Sequence, residues 1–479
     1  MRIFLFIVLL VVSSASKSQV LQWSNPTKLR GTAIFTKVIG ENDQGVYMMR
    51  YRNRFYSKNV ILEKYSHHLS FESAKSIDLN NARLIKIHLT KKGLVLVKSS
   101  FGKKNETNQL IGQLYSFDLK PVGEPKLLVE TPVKEFGDRG NYRMRLSDNQ
   151  AYVSLLYTDK DEAKNIIFNH VLYDSELNKI EESTASIPIP YENFIIKDFM
   201  VNSTGKVNFL CKTVQRQRKR VINSTASVYR IENKVLLGYQ YADTLEVKSS
   251  KLIYDRVTDK IKVVAFYGDK EQYGINGSLF FEIDSDGSTH TTYNKFSEEF
   301  IEEVNVNDRN NGSVSEGFDF LKAIPRSDGG VLIIAEQKEI ATEDDIILVN
   351  GIPQSTSKNI YNFNEILVLN YDQKGFLDWY EVITKNQTTI NDGGYFSSAV
   401  VYIGDKFVQL YYNDQLRSSG DVVQHTIYNN GKSESSNLLK ADLDYVAIIP
   451  IESKQVSSNK VIIPTSKNRR FALLKIIYD

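Results

Sequence analysis

Eight times along this chain, an alternating strand runs into a turn of Asp, Asn, Gly or Lys and returns as a second, more apolar strand. In order the copies are "TAIFTKVIGENDQGVYMMRY", "ARLIKIHLTKKGLVLVKSS", "YRMRLSDNQAYVSLLYT", "IIKDFMVNSTGKVNFLCKTV" and "KLIYDRVTDKIKVVAFYG". "FDFLKAIPRSDGGVLIIAEQ", "SSAVVYIGDKFVQLYYND" and "YVAIIPIESKQVSSNKVIIP" complete the series. Period-two alternation rich in Val, Ile, Tyr and Phe is the signature of strands, and the turn residues tolerate the backbone of tight reversals. Most copies continue into a third strand with an Asp turn, as in "NHVLYDSELNK" and "EILVLNYDQKG", and then a more polar fourth.

Four antiparallel strands per unit of 50–80 residues predict an all-β fold. The expected architecture is a single β-propeller of four-stranded blades, eight in number, with seven as the alternative. The last unit shows only three strands, ending "RRFALLKIIYD", while the region after residue 18 begins "VLQWSNPTKLRG" like the fourth strand of other units. The ring is therefore expected to close by pairing Val20–Leu29 with the C-terminal strands, which hides an edge that would invite aggregation. Two packed sandwich domains are the competing arrangement, and the even hairpin spacing without a linker favours one ring.

The opening "MRIFLFIVLLVVSSASKSQ" has a basic Arg2, an apolar stretch from Ile3 to Val12 and small residues after it, which predicts a signal peptide over residues 1–18. The propeller is then residues 19–479, exported, with no transmembrane segment expected in the mature chain. A formal net charge of +3 over 479 residues gives no reason to expect nucleic acid. The lone Cys211, in "VNFLCKTV", reads as a buried strand residue.

Chemistry-bearing patterns are sparse. His67 and His68 are adjacent, and neighbours on a strand face opposite ways. "DSDGS" at residues 284–288 looks like part of a calcium loop, but lacks a third Asp and the distal Glu. It reads better as a β-turn, and whether Asp284 and Asp286 bind calcium is left open. "GSVSEG" at 312–317 lacks the spacing of a nucleophile elbow. "SEEFIEE" at 297–303 reads as a solvated face, and "RQRKR" at 216–220 as a hairpin tip. Sequons stand at Asn105, Asn202, Asn223 and Asn386. No catalytic, cofactor-binding or metal residue is assigned, and the expectation is a non-enzymatic chain without a cofactor.

"GINGSLFFEIDSDGSTHTTYNKFSEEFIEE", "FLKAIPRSDGGVLIIAEQ", "NEILVLNYDQKGFLDWYEVITKNQ" and "NDGGYFSSAVVYIGDKFVQLYYND" resemble the exported propeller-like proteins common in Bacteroidota envelopes. Within that kind, the chain is similar in size and export signal to the periplasmic plug subunit of the type IX secretion translocon. The resemblance implies an interaction subunit of an outer-membrane or envelope complex, at the periplasmic face of the outer membrane or at the cell surface, able to plug or regulate a protein-export pore. The alternative is an exported propeller that binds or cleaves carbohydrate, although Trp23 and Trp379 are the only tryptophans available for sugar stacking. Gln337 to Tyr361, long for a hairpin connection, is the segment expected to meet a partner, with an extra small hairpin as the plainer reading.

Overall fold

The computed structural model describes residues 19–28, 35–51, 58–102, 106–133, 140–217, 220–232, 235–242, 245–270, 273–305, 312–349, 352–416, 420–444, 446–467 and 470–478. The predicted signal peptide, the sequon at Asn105 and the Arg218–Lys219 pair lie outside them.

Strands in each unit pair with their sequence neighbours and assemble eight separate antiparallel sheets. Blade 1 is Phe35–Asn42, Gly45–Tyr51, Asn59–Tyr65 and Phe71–Asp78. Blades 2 to 5 begin at Arg83, Tyr142, Phe194 and Glu246, and blades 6 and 7 at Phe318 and Val400. Blade 8 holds Val446–Ile448, Lys454–Ser457, Lys460–Lys467 and Arg470–Tyr478. Its first strand is split by a single turn at Pro450–Glu452, because proline has no N–H to give the ladder.

The N-terminal segment supplies the missing outer strand. Gln19–Trp23 pairs antiparallel with Leu474–Tyr478, and Thr27–Lys28 with Arg470 and Phe471. The expected closure is thus present from Gln19, interrupted before Pro26. At the interruption Ser24 Oγ accepts from the Leu473 N–H at 2.8 Å, while Leu29 lies outside the described residues.

Burial follows from the layering. Second and third strands are covered on both faces and read as continuous apolar runs: Val263, Val264, Ala265 and Phe266 are all fully buried, as are Ile366, Val368 and Leu369. Fourth strands alternate or face water, as in Thr289–Lys295. The core is eight apolar clusters, and each joins two neighbouring blades. Val228 of blade 4 meets Val263 and Phe281 of blade 5, and Val46 and Met48 of blade 1 meet Ile462 and Leu473 of blade 8. A ring in which every sheet face is buried by the next explains why no disulfide is needed: Cys211 is buried and free.

The Asp and Asn turns are side-chain-to-backbone turns. Asp372 Oδ1 accepts from the Lys374 and Phe376 N–H groups at 2.9 and 2.8 Å, with Gly375 at φ +83°. Asp174 makes the same pair of bonds to Glu176 and Asn178. Two expectations change. "SEEFIEE" is a short helix, Glu298–Val304, capped by Ser297, and it buries Phe300, Ile301 and Val304 between blades 5 and 6. The aromatic and aliphatic positions within the acidic run were the amphipathic signal. His67 and His68 sit in a turn instead of on a strand: His67 meets Glu41 at 2.8 Å and His68 meets Gln22 at 3.2 Å.

Candidate functional site

The first strand of each unit lines the axis of the ring, and these strands neighbour one another around it. Six of them carry a bulge against their second strand, including Leu84/Lys86, Ile196/Asp198 and Phe320/Lys322. A bulge sets two residues against one and re-aims a side chain. Here each first strand, blade 7 excepted, sends a cation inward: Lys37, Lys86, Arg145 and Lys197 from blades 1 to 4, then Lys251, Lys322 and Lys454 from blades 5, 6 and 8. Blade 7 contributes the apolar Val400–Ile403.

Convergence shows in two adjoining cavities. One, of about 340 Å³, is lined by Arg145, Lys197, Asp198, Lys251 and Phe320. The other, of about 260 Å³, shares Arg145, Lys197 and Asp198 and adds Lys86, Tyr142 and Arg143. The charges also sense one another across the axis. Burial, then Lys37, Lys86 and Lys322 of three other blades, pushes the Lys454 ammonium down to about 8. Burial and Lys251 lower Lys322, and burial followed by Lys37 and Arg145 lowers Lys86. Lys322 is exposed to water yet enclosed by protein, as expected of a side chain inside a wet channel.

Asp198 and Asp319 are the carboxylates lining the larger cavity. Asp198 takes Arg145 at 3.3 Å and Lys251 at 3.1 Å, and Glu452 takes Lys37 at 3.3 Å. Among the described residues Lys86, Lys197 and Lys322 have no ion-pair partner, and Lys454 donates only to the Ile39 carbonyl. Two lining residues hold buried polar atoms without a hydrogen bond among the described residues, Arg143 Nε and Ser249 Oγ, and so does His88 Nε2 on the first strand of blade 2. His88 is held neutral, its pKa driven to about 3 by burial and then by Lys86 and Lys454. Cations without counterions around a cavity suit anionic groups.

One loop reaches the channel rim. Asn391–Ser398, between blades 6 and 7, carries Tyr395 to the first strand of blade 1, where its hydroxyl accepts from the Thr36 N–H at 3.1 Å. The ring stands edge-on to Phe35 at 5.0 Å. Gln387 and Asn413 fasten the loop from behind. Gln387 accepts from the Ser398 N–H at 2.8 Å, and Asn413 donates to the Phe396 and Ile448 carbonyls at 2.8 and 2.9 Å. Asn413 is thus a structural bridge between blades 7 and 8.

The segment Gln337–Tyr361 continues the sheet of blade 6. Its second and third strands, Val331–Val349 and Ile352–Tyr371, stay paired for twelve residues beyond the blade, Lys338 to Val349. Only Ile360–Phe363 of this extension gains a third strand, Gln387–Ile390.

Other sequence candidates resolve into structure. Asp284 is occupied by the Lys260 ammonium at 2.8 Å and the Ser288 hydroxyl at 3.2 Å, and Asp286 accepts from the Ser288 N–H, so "DSDGS" is a hairpin turn whose carboxylate already holds a cation. Gly312–Gly317 is the interblade connection, bridged to Ile275 through Val314. Asn202 is buried in its own turn. Arg216 and Gln217 end an exposed strand tip. A Ser154–His170 contact at 2.9 Å is enclosed within blade 3, both residues being buried, with no route for a substrate.

The lysine column escaped the search for motifs because no two members are near in sequence. Its signal was the repeat itself: "FTKVIG", "LIKIHL", "IIKDFM", "SSKLIY" and "FLKAIP" each set one lysine in the first strand of a unit.

No family model matches the chain, and no curated protein sequence matches it. Among solved structures it is similar to a polysaccharide lyase, at 10% identity over 95% of this chain and 99% of that one, with a TM-score of 0.40. It is also similar to the β-propeller domain of the Trilobed protease of Pyrococcus furiosus, at 10% identity over 88% and 96%, TM-score 0.37. An apocarotenoid oxygenase of Synechocystis matches at 9% identity over 96% and 93%, TM-score 0.36. Likeness of this order carries no activity from one chain to another.

Proposed function

We propose that this protein is a non-enzymatic interaction propeller of the bacterial cell envelope, exported by its N-terminal segment, that docks onto a larger complex through the ribbon leaving blade 6. The ribbon is the observation that carries this reading. Twelve residue pairs, Lys338↔Phe363 to Val349↔Ile352, extend past the blade, and Ile340 and Ile390 stay exposed along it. Such a ribbon presents two strand edges whose N–H and C=O groups have no ladder partner among the described residues beyond Ile360–Phe363. Soluble proteins ordinarily shield such edges, and an added strand from a partner satisfies them.

The finer version, supported by the resemblance to the plug of the type IX translocon, is that the complex is an outer-membrane export pore which this propeller closes. Shortening the ribbon by removing residues 341–359 tests the docking role. Envelopes solubilised in detergent should yield a stoichiometric partner with the full chain and none with the shortened one, while the ring's thermal unfolding stays unchanged. Equal recovery with both chains contradicts the ribbon reading. Gene deletion should make the outer membrane leaky to large antibiotics, and unchanged permeability removes the plug version.

A further inference from the structure

We propose that the axial channel is a binding site for an acidic oligosaccharide, one whose sugar rings carry carboxylate or sulfate groups. The inference stands apart from the ribbon and needs no protein partner.

The cations arise one from each blade except blade 7, so they are spread around the axis instead of clustered on one loop. Lys86, Lys197 and Lys322, which have no ion-pair partner among the described residues, come from blades 2, 4 and 6. Satisfying all three takes several negative groups held at intervals by a spacer. The unpaired members are lysines, point charges on flexible stems that accept an oxyanion at varied positions, whereas arginine forks demand one bidentate geometry.

Between the charges, the walls are suited to a sugar. Phe320 and Tyr142 are half-buried and offer aromatic faces on the two cavities. Ser249 and Arg143 line the cavities as further polar residues. The cavities, at about 340 and 260 Å³, are on the scale of small-ligand sites, and they adjoin through Arg145 and Lys197. Leaving like charges unpaired in one enclosure weakens the fold, a cost that is retained where function needs it.

The test is calorimetric titration of the full chain with an oligogalacturonate hexamer, a heparin-derived hexasaccharide, cellohexaose, hexaglutamate and tripolyphosphate. At least one acidic sugar should bind, and raising the salt to about 0.5 M should weaken it about tenfold or more. The carboxylated and sulfated arms identify which group the channel prefers. Cellohexaose should not bind, and hexaglutamate and tripolyphosphate should bind about tenfold more weakly. The double variant Lys197→Gln/Lys322→Gln should lose about tenfold or more of the affinity, and Lys86→Gln a smaller factor. Lys179→Gln, on the outer strand of blade 3, should change nothing. Because Lys197 and Lys322 hold no partner, the double variant should unfold at or above the parent midpoint, and Lys86→Gln gives a second reading should it not. Absence of binding by both acidic sugars overturns the proposal, as does affinity indifferent to these lysines. Binding of hexaglutamate or tripolyphosphate as tight as that of the sugars makes the channel a peptide or phosphate site and overturns the saccharide assignment.

Discussion

Lys385→Met should destabilise the ring by about 3–5 kcal/mol, the usual cost of removing one member of a buried ion pair. Lys385 Nζ lies 2.9 Å from Glu336, with 1% and 2% of the two side chains exposed. It also donates to the Phe363 carbonyl at 2.8 Å and to Gln387 Oε1 at 3.0 Å. Methionine fills the space but supplies none of these donors, so the Glu336 carboxylate stays in the interior without its cation. Equilibrium unfolding in urea, followed by Trp379 fluorescence and far-ultraviolet dichroism, reads the loss as a lower midpoint at unchanged slope. The double variant Glu336→Leu/Lys385→Met removes both charges and should recover most of the deficit, since an apolar pair of similar volume serves as well as a buried ion pair. Gln387 links Lys385 to Ser398, so the single variant should also make the Asn391–Ser398 loop more sensitive to limited proteolysis. A deficit under about 1 kcal/mol, or a double variant no better than the single, would refute the claim that this pair anchors the loop.

Truncating residues 19–28 removes Leu21 and Trp23 from the cluster between blades 7 and 8 and should cost about 3–6 kcal/mol, visible in thermal unfolding together with new concentration-dependent aggregation. Tyr395→Phe deprives the buried Thr36 N–H of its acceptor and should cost about 1–3 kcal/mol by the same urea assay. Lys454 should titrate near 8 in a side-chain NMR experiment, against 10.5 for an ordinary lysine. The folded state then binds fewer protons than the unfolded between those values, so stability rises with pH across that window. After allowance for solvent screening the rise is about 1 kcal/mol, and Lys454→Met should abolish it.

Much of the ring was legible because each of its strands is a local event. Alternation gave the strands, and Asp, Asn and Gly gave the turns. The polar tail "VLQWSNPTKLRG" gave the closing strand, now seen from Gln19 onward. What could not be read were relations between distant residues. Lys86 and Lys454 meet only because eight first strands share one axis, and a single lysine in an apolar run looks unremarkable until the repeats are superposed. The stretch "NDGGYFSS" connects blades 6 and 7, and its reach to Thr36 depends on a contact over 359 positions, which no local pattern shows. The helix at Glu298–Val304 was hidden by its acid content, since four glutamates obscured the three apolar residues that anchor it.

The crystal structure of the full chain soaked with an acidic hexasaccharide tests the channel most directly. The account predicts carboxylate or sulfate groups about 3 Å from the ammonium nitrogens of Lys86, Lys197 and Lys322, with a sugar ring against Phe320 or Tyr142. Sugar bound only on the outer faces of the blades, with those lysines turned away from the axis, would contradict it.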